Sequence, residues 1–270
     1  MNESFFIVPT PIGNLEDISF RAIEILNDVD YIACEDTRVT QKLLNHYKIG
    51  TKTFAYHKFN EKQSVEKIIN LISEGKKIAL VSDAGTPLIC DPGSILIDEL
   101  RKNQIKITSI PGACALTVFL SQVPNGDEPF CFIGFLPRKE KQISDIVNNN
   151  SNINTVFYES PNRLLKTLEI LSKIDSNLKI AIGRELTKIF EEVIIMNVSE
   201  AVEYYSKSTL KGEIVCMLYK HSDNGAEEMP LKEINLLKAH NFSDKDISSI
   251  IHILYKTNKN NIIKYLKADK

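Results

Sequence analysis

Short runs of β-branched and aromatic residues alternate along the chain with longer stretches whose apolar residues recur at helical spacing. This alternation limits the possible folds more than any other feature, because such strand and helix units pack as layers around a largely parallel sheet. The predicted strand and helix pairs are 5–8 with 18–26, 31–34 with 39–47, 78–81 with 94–100, and 105–109 with 113–120. We therefore predict an α/β fold.

A second α/β block follows a segment, SQVPNGDEP at 121–129, in which turn-forming residues gather between two periodic stretches. Two of its predicted strands, 179–183 and 192–197, lie close together in the chain, and a last strand covers 213–219. Neighbouring strands with short connections indicate a sheet that is mixed or partly antiparallel. The predicted organisation is an N-terminal α/β domain at 1–121, a second α/β domain at 122–220, and a linker with a small helical domain at 221–270.

The C-terminal tail carries apolar residues at helical spacing and is predicted to form three short helices. Ser243 and Asp246 stand at the spacing of a helix N-terminal capping box, with Asp in place of Glu. The tail has four acids and eight lysines, which are Lys232, Lys238, Lys245, Lys256, Lys259, Lys264, Lys267 and Lys270. Two interpretations stay open: the tail binds RNA phosphates, or it is a solvated helical unit without such a role.

Composition gives little sign of a charged partner or of export. The 33 basic and 35 acidic residues leave a formal net charge of -2, so a nucleic acid would have to be met by a local patch. The five cysteines form no Cys-x-x-Cys pair, so neither a disulfide framework nor a metal site is indicated. No apolar run reaches the length of about 18 residues that spans a bilayer. We expect a cytoplasmic protein without membrane contact.

Each predicted strand of the first block ends in a loop of small or functional residues. These loops read PTPIGNLED, EDTR, SDAGTPLICDPG and IPGA. Ligands of open α/β sheets bind beyond the carboxyl ends of the strands, so the four loops should meet at one crevice. Each loop alone could simply be a tight turn, but four together favour a binding site. Neither a dinucleotide fingerprint nor a P-loop motif occurs in the sequence.

Eight motifs, in a fixed order, carry a resemblance to a known family. They are PTPIGNLEDIS, ACEDTR, ALVSDAGTPLICDPG, IPGACAL, FIGFLPRK, VFYESPNR, RELTKIFEEV and GEIV. Over about residues 5–220 the chain resembles the tetrapyrrole methylase family, and within it the branch that methylates the ribose 2′-hydroxyl of a cytidine in the decoding region of bacterial 16S ribosomal RNA. The resemblance implies S-adenosylmethionine as cofactor in a cleft between two α/β domains, a homodimer, and 16S RNA of the small ribosomal subunit as partner.

The resemblance also implies the residues that bind the cofactor. The loop after the strand at 78–81 would face the methionine and sulfonium, the IPGA loop would form the adjacent wall, and the second domain would approach the adenosine. In that order the residues are Asp83, Ala84, Gly85, Thr86, Pro87 and Ile89; Pro111, Gly112, Cys114 and Ala115; Tyr158, Glu159, Leu186, Gly212 and Glu213. Main-chain carbonyl oxygens suit a sulfonium, because it carries a positive charge but no proton to donate.

Methyl transfer to an alcohol needs in-line alignment, and either a general base or a cation that stabilises the alkoxide. Glu185 and Lys188 are three residues apart and are predicted to be catalytic, with a surface ion pair as an equal alternative. Asp36 and Arg38 are also predicted to be catalytic, although they would serve equally as a structural pair. Weaker candidates at the same edge are His57, Asn60, Glu61, Asp83 and Glu159.

Other chemistry-bearing residues are less informative. Basic side chains that could contact RNA, apart from the tail, are Arg138, Lys139, Lys141, Arg163 and Arg184. Phe130, Phe132 and Phe135 largely alternate as in a strand, which favours core packing over base stacking. Cys90 and Cys114 adjoin the cofactor loops, but they are expected to act as small apolar residues. Two other functions remain open: methylation of a tetrapyrrole or corrin precursor, and a cofactor-sensing RNA-binding module without turnover.

Overall fold

The described part of the chain forms two five-stranded sheets. The computed structural model describes residues 4–58, 60–125, 128–207, 210–221, 230–255 and 259–268. Among these residues, no helix is long and apolar enough to cross a membrane.

The first sheet has the strand order β3-β2-β4-β1-β5, and all of its neighbouring strands are parallel. Its strands are β1 (Phe5–Ile7), β2 (Tyr31–Cys34), β3 (Lys52–Ala55), β4 (Ile78–Val81) and β5 (Ile107–Ser109). The helices between them are α1 (Phe20–Asp28), α2 (Thr37–His46), α3 (Glu61–Ser73) and α4 (Ser94–Lys102). The predicted parallel sheet is confirmed. Strand β4 is central and buried along its whole length, which explains its continuous apolar run.

The pair β3 and α3 was not among the predicted strand and helix units. Strand β3 lies at the edge of the sheet, and none of its residues is fully buried. An edge strand needs no continuous apolar run, so its sequence, Lys-Thr-Phe-Ala, carries only a weak strand signal.

The second sheet has the order β6-β7-β10-β8-β9 and mixes parallel and antiparallel pairs. Its strands are β6 (Phe130–Phe135), β7 (Asn154–Glu159), β8 (Lys179–Arg184), β9 (Glu192–Asn197) and β10 (Ile214–Leu218). Among the strands that the structure describes in this sheet, β6 and β7 are the one parallel pair, so the predicted mixed sheet is confirmed. One face packs on α6 (Glu140–Asn149), α7 (Pro161–Ile174) and α8 (Val198–Ser206) through a common apolar core.

The other face of the second sheet is covered by helix α5 (Ala115–Leu120), which leads out of the first sheet. Phe119 of this helix is fully buried against the strands. Gly183 of β8 gives the ring its space, because a Cβ there would lie 2.6 Å from Phe119 Cδ2. Helix α5 therefore packs on the second sheet although it precedes the predicted domain boundary at residue 121.

The tail forms three helices, α9 (Leu231–Ala239), α10 (Asp244–Tyr255) and α11 (Lys259–Ala268), as predicted. They share a small core of their own, made by Ile234, Ile247, Ile251, Ile262 and Leu266. Ser243 Oγ accepts a hydrogen bond from the Asp246 amide at 3.2 Å, so α10 begins at the predicted cap. Of the lysines assigned to the tail, Lys256 and Lys270 lie outside the described residues.

Candidate active site

A cavity of about 390 Å³ lies between the two sheets, where loops that follow the strands of the first sheet meet the second. Its volume falls within the range of about 300–1,000 Å³ that is typical of small-molecule sites. The first sheet contributes Ile12, Ala84, Gly85, Thr86, Ile89, Cys90, Asp91, Cys114 and Ala115. The second contributes Phe135, Tyr158, Glu159, Ser160, Pro161, Leu186, Gly212, Glu213, Ile214 and Val215. Of the four loops predicted to converge, PTPIGNLED and SDAGTPLICDPG line the cavity, and IPGA is followed directly by two lining residues, Cys114 and Ala115. No residue of EDTR lines it, so the predicted convergence is confirmed only in part.

The loop after β4 is held in an unusual backbone shape. Gly85 and Gly93 have φ of 80° and 138°, and Leu88 and Cys90 have φ of 75° and 73°, in the left-handed region that non-glycine residues rarely adopt. Gly85 exchanges two backbone hydrogen bonds with Thr10, at 2.9 and 3.0 Å. Such strain persists where the surroundings impose it, and it clusters at ligand sites. The loop therefore meets a ligand with its main chain already in place.

Most of the predicted cofactor-binding residues line this cavity. Those in its wall are Ala84, Gly85, Thr86, Ile89, Cys114, Ala115, Tyr158, Glu159, Leu186, Gly212 and Glu213. The remaining four, which lie outside the wall, are Asp83, Pro87, Pro111 and Gly112. The structure thus brings the predicted residues of the two domains together across the cleft, apart from these four residues.

Two of those four residues have a clear supporting position. Asp83 Oδ1 accepts a hydrogen bond from the Asp36 amide at 3.1 Å, which ties the loop after β4 to the start of α2. Gly112 packs on Pro9, since a Cβ at Gly112 would lie 2.6 Å from Pro9 Cβ. Both residues shape the loops that form the wall.

Glu159 borders the cavity, but its carboxylate is turned into the protein. It accepts hydrogen bonds from the Ser160 amide at 2.8 Å and from Thr167 Oγ1 at 2.7 Å, and it lies 3.3 Å from Arg163 Nε. Arg163 also donates to the carbonyl oxygens of Leu136 and Pro137. Glu159 therefore braces the start of α7, and Arg163, proposed from the sequence as an RNA contact, is used inside the fold.

An aromatic wall closes one side of the cavity. The Tyr158 ring lies edge-on to Phe132 and Phe135, with centroids 5.0 and 5.7 Å apart. Burial raises the pKa of the Tyr158 hydroxyl, so it stays neutral. Phe135 was expected in the core, but it is largely exposed and faces the cavity.

Several cavity residues were not assigned from the sequence: Ile12, Cys90, Asp91, Phe135, Ser160, Pro161, Ile214 and Val215. All of them lie inside the eight motifs, so the motifs themselves were the available signal. Asp91 matters most, because burial, and then the nearby charge of Glu35, raise its pKa to about 6. Burial also raises the pKa values of Glu35 and Asp83, so this side of the site holds closely spaced acids.

Lys188 forms a compact ion-pair cluster at the rim of the cavity. Its Nζ lies 2.7 Å from Glu185 Oε1 and 3.0 Å from Glu213 Oε2, and Glu213 itself lines the cavity. Burial alone would lower the pKa of Lys188, but the hydrogen bonds to Glu185 and Glu213 raise it overall. The amine is therefore a cation at neutral pH and cannot act as a general base.

The backbone around this cluster is also constrained. Glu185 and Thr187 have left-handed φ of 53° and 67°. The Glu185 carboxylate lies against Gly212, where a Cβ would stand 2.2 Å from Glu185 Oε1. From the first domain, the Asn14 amide donates to Thr187 Oγ1 at 3.1 Å. The cluster is thus fixed from both sides of the cleft.

Asp36 and Arg38, by contrast, engage each other. Arg38 Nη2 lies 2.6 Å from Asp36 Oδ2, and Asp36 Oδ1 also accepts from the Arg38 amide at the start of α2. The hydrogen bonds from Arg38 lower the pKa of Asp36 to about 2. Neither residue lines the cavity. The geometry favours the alternative of a structural pair and a helix cap for these two residues.

The weaker candidates after β3 also have structural contacts. Asn60 Oδ1 accepts from the His57 amide at 2.8 Å, and Asn60 Nδ2 donates to the Ala55 carbonyl at 3.0 Å. Glu61 Oε1 accepts from Tyr56 Oη at 2.8 Å. Arg184, one of the proposed RNA contacts, pairs with Glu192 at 3.3 Å. These bonds shape the turn into α3 and the start of β9.

Two α/β domains with a cavity between them, lined by loops of constrained backbone, form the kind of interdomain cleft that binds a small molecule. Comparison with known families makes the class specific. The chain belongs to the tetrapyrrole (corrin/porphyrin) methylases, whose family model matches residues 4–202. Membership confirms the predicted methyltransferase class and S-adenosylmethionine as its cofactor.

Curated relatives match most of the chain. A protein of a Hydrogenobaculum species, named ribosomal RNA small subunit methyltransferase I, is 46% identical over 221 residues, which cover 80% of this chain and 96% of the relative. A protein of the same name from Vibrio cholerae is 38% identical over 268 residues, which cover 96% of this chain and 93% of the relative. The second match includes the helical tail.

Solved structures confirm the predicted fold. Diphthine synthase superposes with a TM-score of 0.64 at 13% identity, covering 81% of this chain and 90% of its own. A cobalt precorrin-4 methyltransferase of cobalamin biosynthesis superposes with a TM-score of 0.60 at 14% identity, covering 79% of this chain and 94% of its own. At this identity the likeness establishes the fold alone.

Proposed function

We propose that this protein methylates the ribose 2′-hydroxyl of a cytidine in the decoding region of 16S ribosomal RNA, using S-adenosylmethionine. The observation that carries this proposal is the 38% identity over 96% of the chain with a relative named ribosomal RNA small subunit methyltransferase I. The geometry is consistent with it, since the Lys188 ion-pair cluster stands at the rim of a cavity of cofactor size.

The residues of the cavity suit S-adenosylmethionine. The partly buried carboxyl of Asp91, which lines the cavity together with the loop at 84–86, supplies negative charge for a cationic ligand. The apolar wall of Tyr158, Leu186 and Val215 suits a flat adenosine. When bound, the cofactor supplies an electrophilic methyl group on a positively charged sulfur.

The chain's own residues would position and activate the ribose hydroxyl. The hydroxyl is a weak nucleophile, and its proton must pass to solvent water as the carbon–oxygen bond forms and the carbon–sulfur bond of the cofactor breaks. Lys188 stays protonated, so its role would be to stabilise negative charge on that oxygen. Glu185 and Glu213 orient its ammonium group through the hydrogen bonds described above.

Further properties of this function are also proposals. The resemblance favours a homodimer, the assembled small subunit as substrate, and the cytoplasm as location. The division into domains at residues 1–121, 122–220 and 221–270 is part of the same proposal. With a net charge of -2, the chain as a whole has little electrostatic attraction to RNA phosphates. A dimer, together with the lysine-bearing tail, would enlarge the surface available to RNA.

The decisive experiment combines cells with purified protein. Mass spectrometry of 16S RNA from cells lacking the gene should show one ribose methyl group missing, and the purified protein should restore it on small subunits with labelled S-adenosylmethionine. Transfer to a corrin precursor, but not to RNA, would support a tetrapyrrole methylase instead. Cofactor binding without any transfer would support a non-catalytic RNA-binding sensor.

A further inference from the structure

Two apolar side chains project into solvent beside the active site. Ile189 is 94% exposed and Phe190 is 74% exposed. They form the tip of the loop between β8 and β9, called here the 189–190 tip. The same loop contributes Leu186 to the cavity wall and Lys188 to the ion-pair cluster at its rim.

This tip is held in place by the loop below it. The Lys188 amide donates to the Glu185 carbonyl at 3.0 Å, and the Glu191 amide donates to the Lys188 carbonyl at 3.0 Å. The Thr187 amide also donates to the Glu191 carboxylate at 2.5 Å. These bonds close the loop around the tip, so Ile189 and Phe190 are presented outward by a defined backbone.

The packing of Lys188 strengthens this constraint. Gly13 of the first domain lies directly against Lys188, since a Cβ at Gly13 would stand 2.5 Å from Lys188 Cγ. Left-handed backbone at Glu185 and Thr187 adds local strain. A loop that is strained, closed by hydrogen bonds and packed against the first domain fixes the position of its tip relative to the cavity.

We propose that the 189–190 tip binds the base of the nucleotide whose ribose enters the cavity, with Phe190 as a stacking surface and Ile189 as an apolar wedge. This inference rests on the proposed function. Bases in folded RNA are stacked, and an enzyme that reaches one nucleotide must offset the cost of unstacking it. An aromatic ring offers every base a stacking partner, and an apolar wedge fills the space that the base leaves.

The charge of the protein favours such a contact. With a formal net charge of -2, the chain gains little from general attraction to phosphates. Stacking does not depend on net charge, and its strength changes little with salt. A fixed aromatic side chain beside the cavity would therefore supply RNA affinity that the overall charge does not.

The size of the tip argues against a second copy of this chain as its partner. Aromatic side chains bury about 150–250 Å² each, so two side chains offer only a few hundred Å². A stable protein interface buries about 800 Å² per partner. The tip alone matches one or two bases better than it matches a dimer surface.

The test compares Phe190→Ala and Ile189→Ala with Ile253→Ala as matched control. Ile253 is 74% exposed on α10 of the tail, like Phe190 in exposure but far along the chain from the active-site motifs. Small subunits serve as substrate, and four quantities are measured: KM for the subunit, kcat, cofactor affinity by calorimetry, and the sedimentation coefficient. Subunit affinity is also measured over a range of salt concentrations.

We expect Phe190→Ala to weaken subunit affinity about ten-fold or more, the scale of one lost stacking contact. Cofactor affinity, sedimentation and the salt dependence should match the wild type, and Phe190→Tyr should restore affinity. Unchanged subunit affinity in both tip variants would overturn the proposal. So would a lowered cofactor affinity, which would mean a structural role, or a changed sedimentation coefficient, which would mean an interface between copies. A wild-type protein inactive on RNA would instead refute the proposed function.

Discussion

Gly13 packs directly against the side chain of Lys188, across the cleft between the two domains. A Cβ at Gly13 would stand 2.5 Å from Lys188 Cγ and 2.6 Å from Thr187 Oγ1. The PTPIGN loop of the first domain therefore sets the position of the Lys188 ion-pair cluster in the second domain.

Gly13→Ala should displace Lys188 and lower the methylation rate by about ten-fold to a hundred-fold, because small misplacements at a reacting centre are costly. Gly50→Ala is the matched control, since a Cβ at Gly50 meets no heavy atom within 4 Å. Single-turnover kinetics on small subunits with saturating cofactor measures the rate. Equal rates in the two variants would show that the contact between Gly13 and Lys188 does not matter for catalysis.

Lys188→Ala should lower kcat by about a hundred-fold, the scale of one lost electrostatic contact to the transition state. Its affinity for the cofactor, measured by calorimetry, should change little, because Lys188 does not line the cavity. Lys207→Ala removes an exposed lysine that is also ion-paired, with Glu203, and serves as control. Equal losses in kcat and in cofactor affinity would reassign Lys188 to binding or folding.

Asp91 should make cofactor binding depend on pH. Burial and the nearby charge of Glu35 raise the pKa of Asp91 to about 6. In the protein without ligand, the Asp91 carboxyl is therefore mostly protonated below that pH. A cationic ligand favours the ionised carboxylate, so affinity for S-adenosylmethionine should rise between about pH 5 and 7 and then level off. S-adenosylhomocysteine, which lacks the sulfonium charge, should show a flatter profile. Calorimetry of both ligands tests this, and a profile that persists in Asp91→Asn would contradict it.

The same pKa shift has a consequence for the ligand-free protein. The folded state holds the Asp91 proton more tightly than the unfolded chain, whose Asp pKa is about 3.9. The contribution of Asp91 to stability is therefore greatest below about pH 4 and is lost as the pH rises to about 6. Asp91→Asn should reduce this decline in thermal unfolding measurements, whereas a steeper decline would contradict the assigned shift.

Thr167→Val should destabilise the second domain by about 1–3 kcal/mol, because it removes a donor from the buried Glu159 carboxylate. Thr155→Val is the control, since Thr155 is also buried but its hydroxyl makes only a long contact of 3.5 Å to the Ile153 carbonyl. Chemical denaturation monitored by circular dichroism compares the two. A larger loss in Thr155→Val would show that the Glu159 network contributes little.

The parts of the site that the sequence predicted are those set by local chain order. Gly85 and Thr86 follow a buried parallel strand, and parallel strands place their carboxyl ends at one edge, so their meeting with other loops was predictable. The role of Asp91 was not, because its raised pKa depends on burial and on Glu35, which follows a different strand. Sequence spacing carries no measure of burial.

The Glu185 and Lys188 pair also shows that sequence spacing predicts only part of the site. Their spacing predicted contact, and the structure has it at 2.7 Å. The third member, Glu213, comes from the start of a distant strand, so the three-part cluster appears only once β8 and β10 pair. The sequence EDTR did not distinguish a catalytic role for Asp36 and Arg38 from a structural ion pair. Their bidentate hydrogen bonding in the structure favours the structural pair.

Phe119 occupies the space left by Gly183, so we expect that neither half of the molecule is stable when it is made without the other. A fragment that stops at residue 121 would leave the apolar face of α5 in water, and the complementary fragment would leave one side of its sheet bare. Attempts to express either half alone should give aggregates, whereas producing both halves in the same cell should yield a soluble pair.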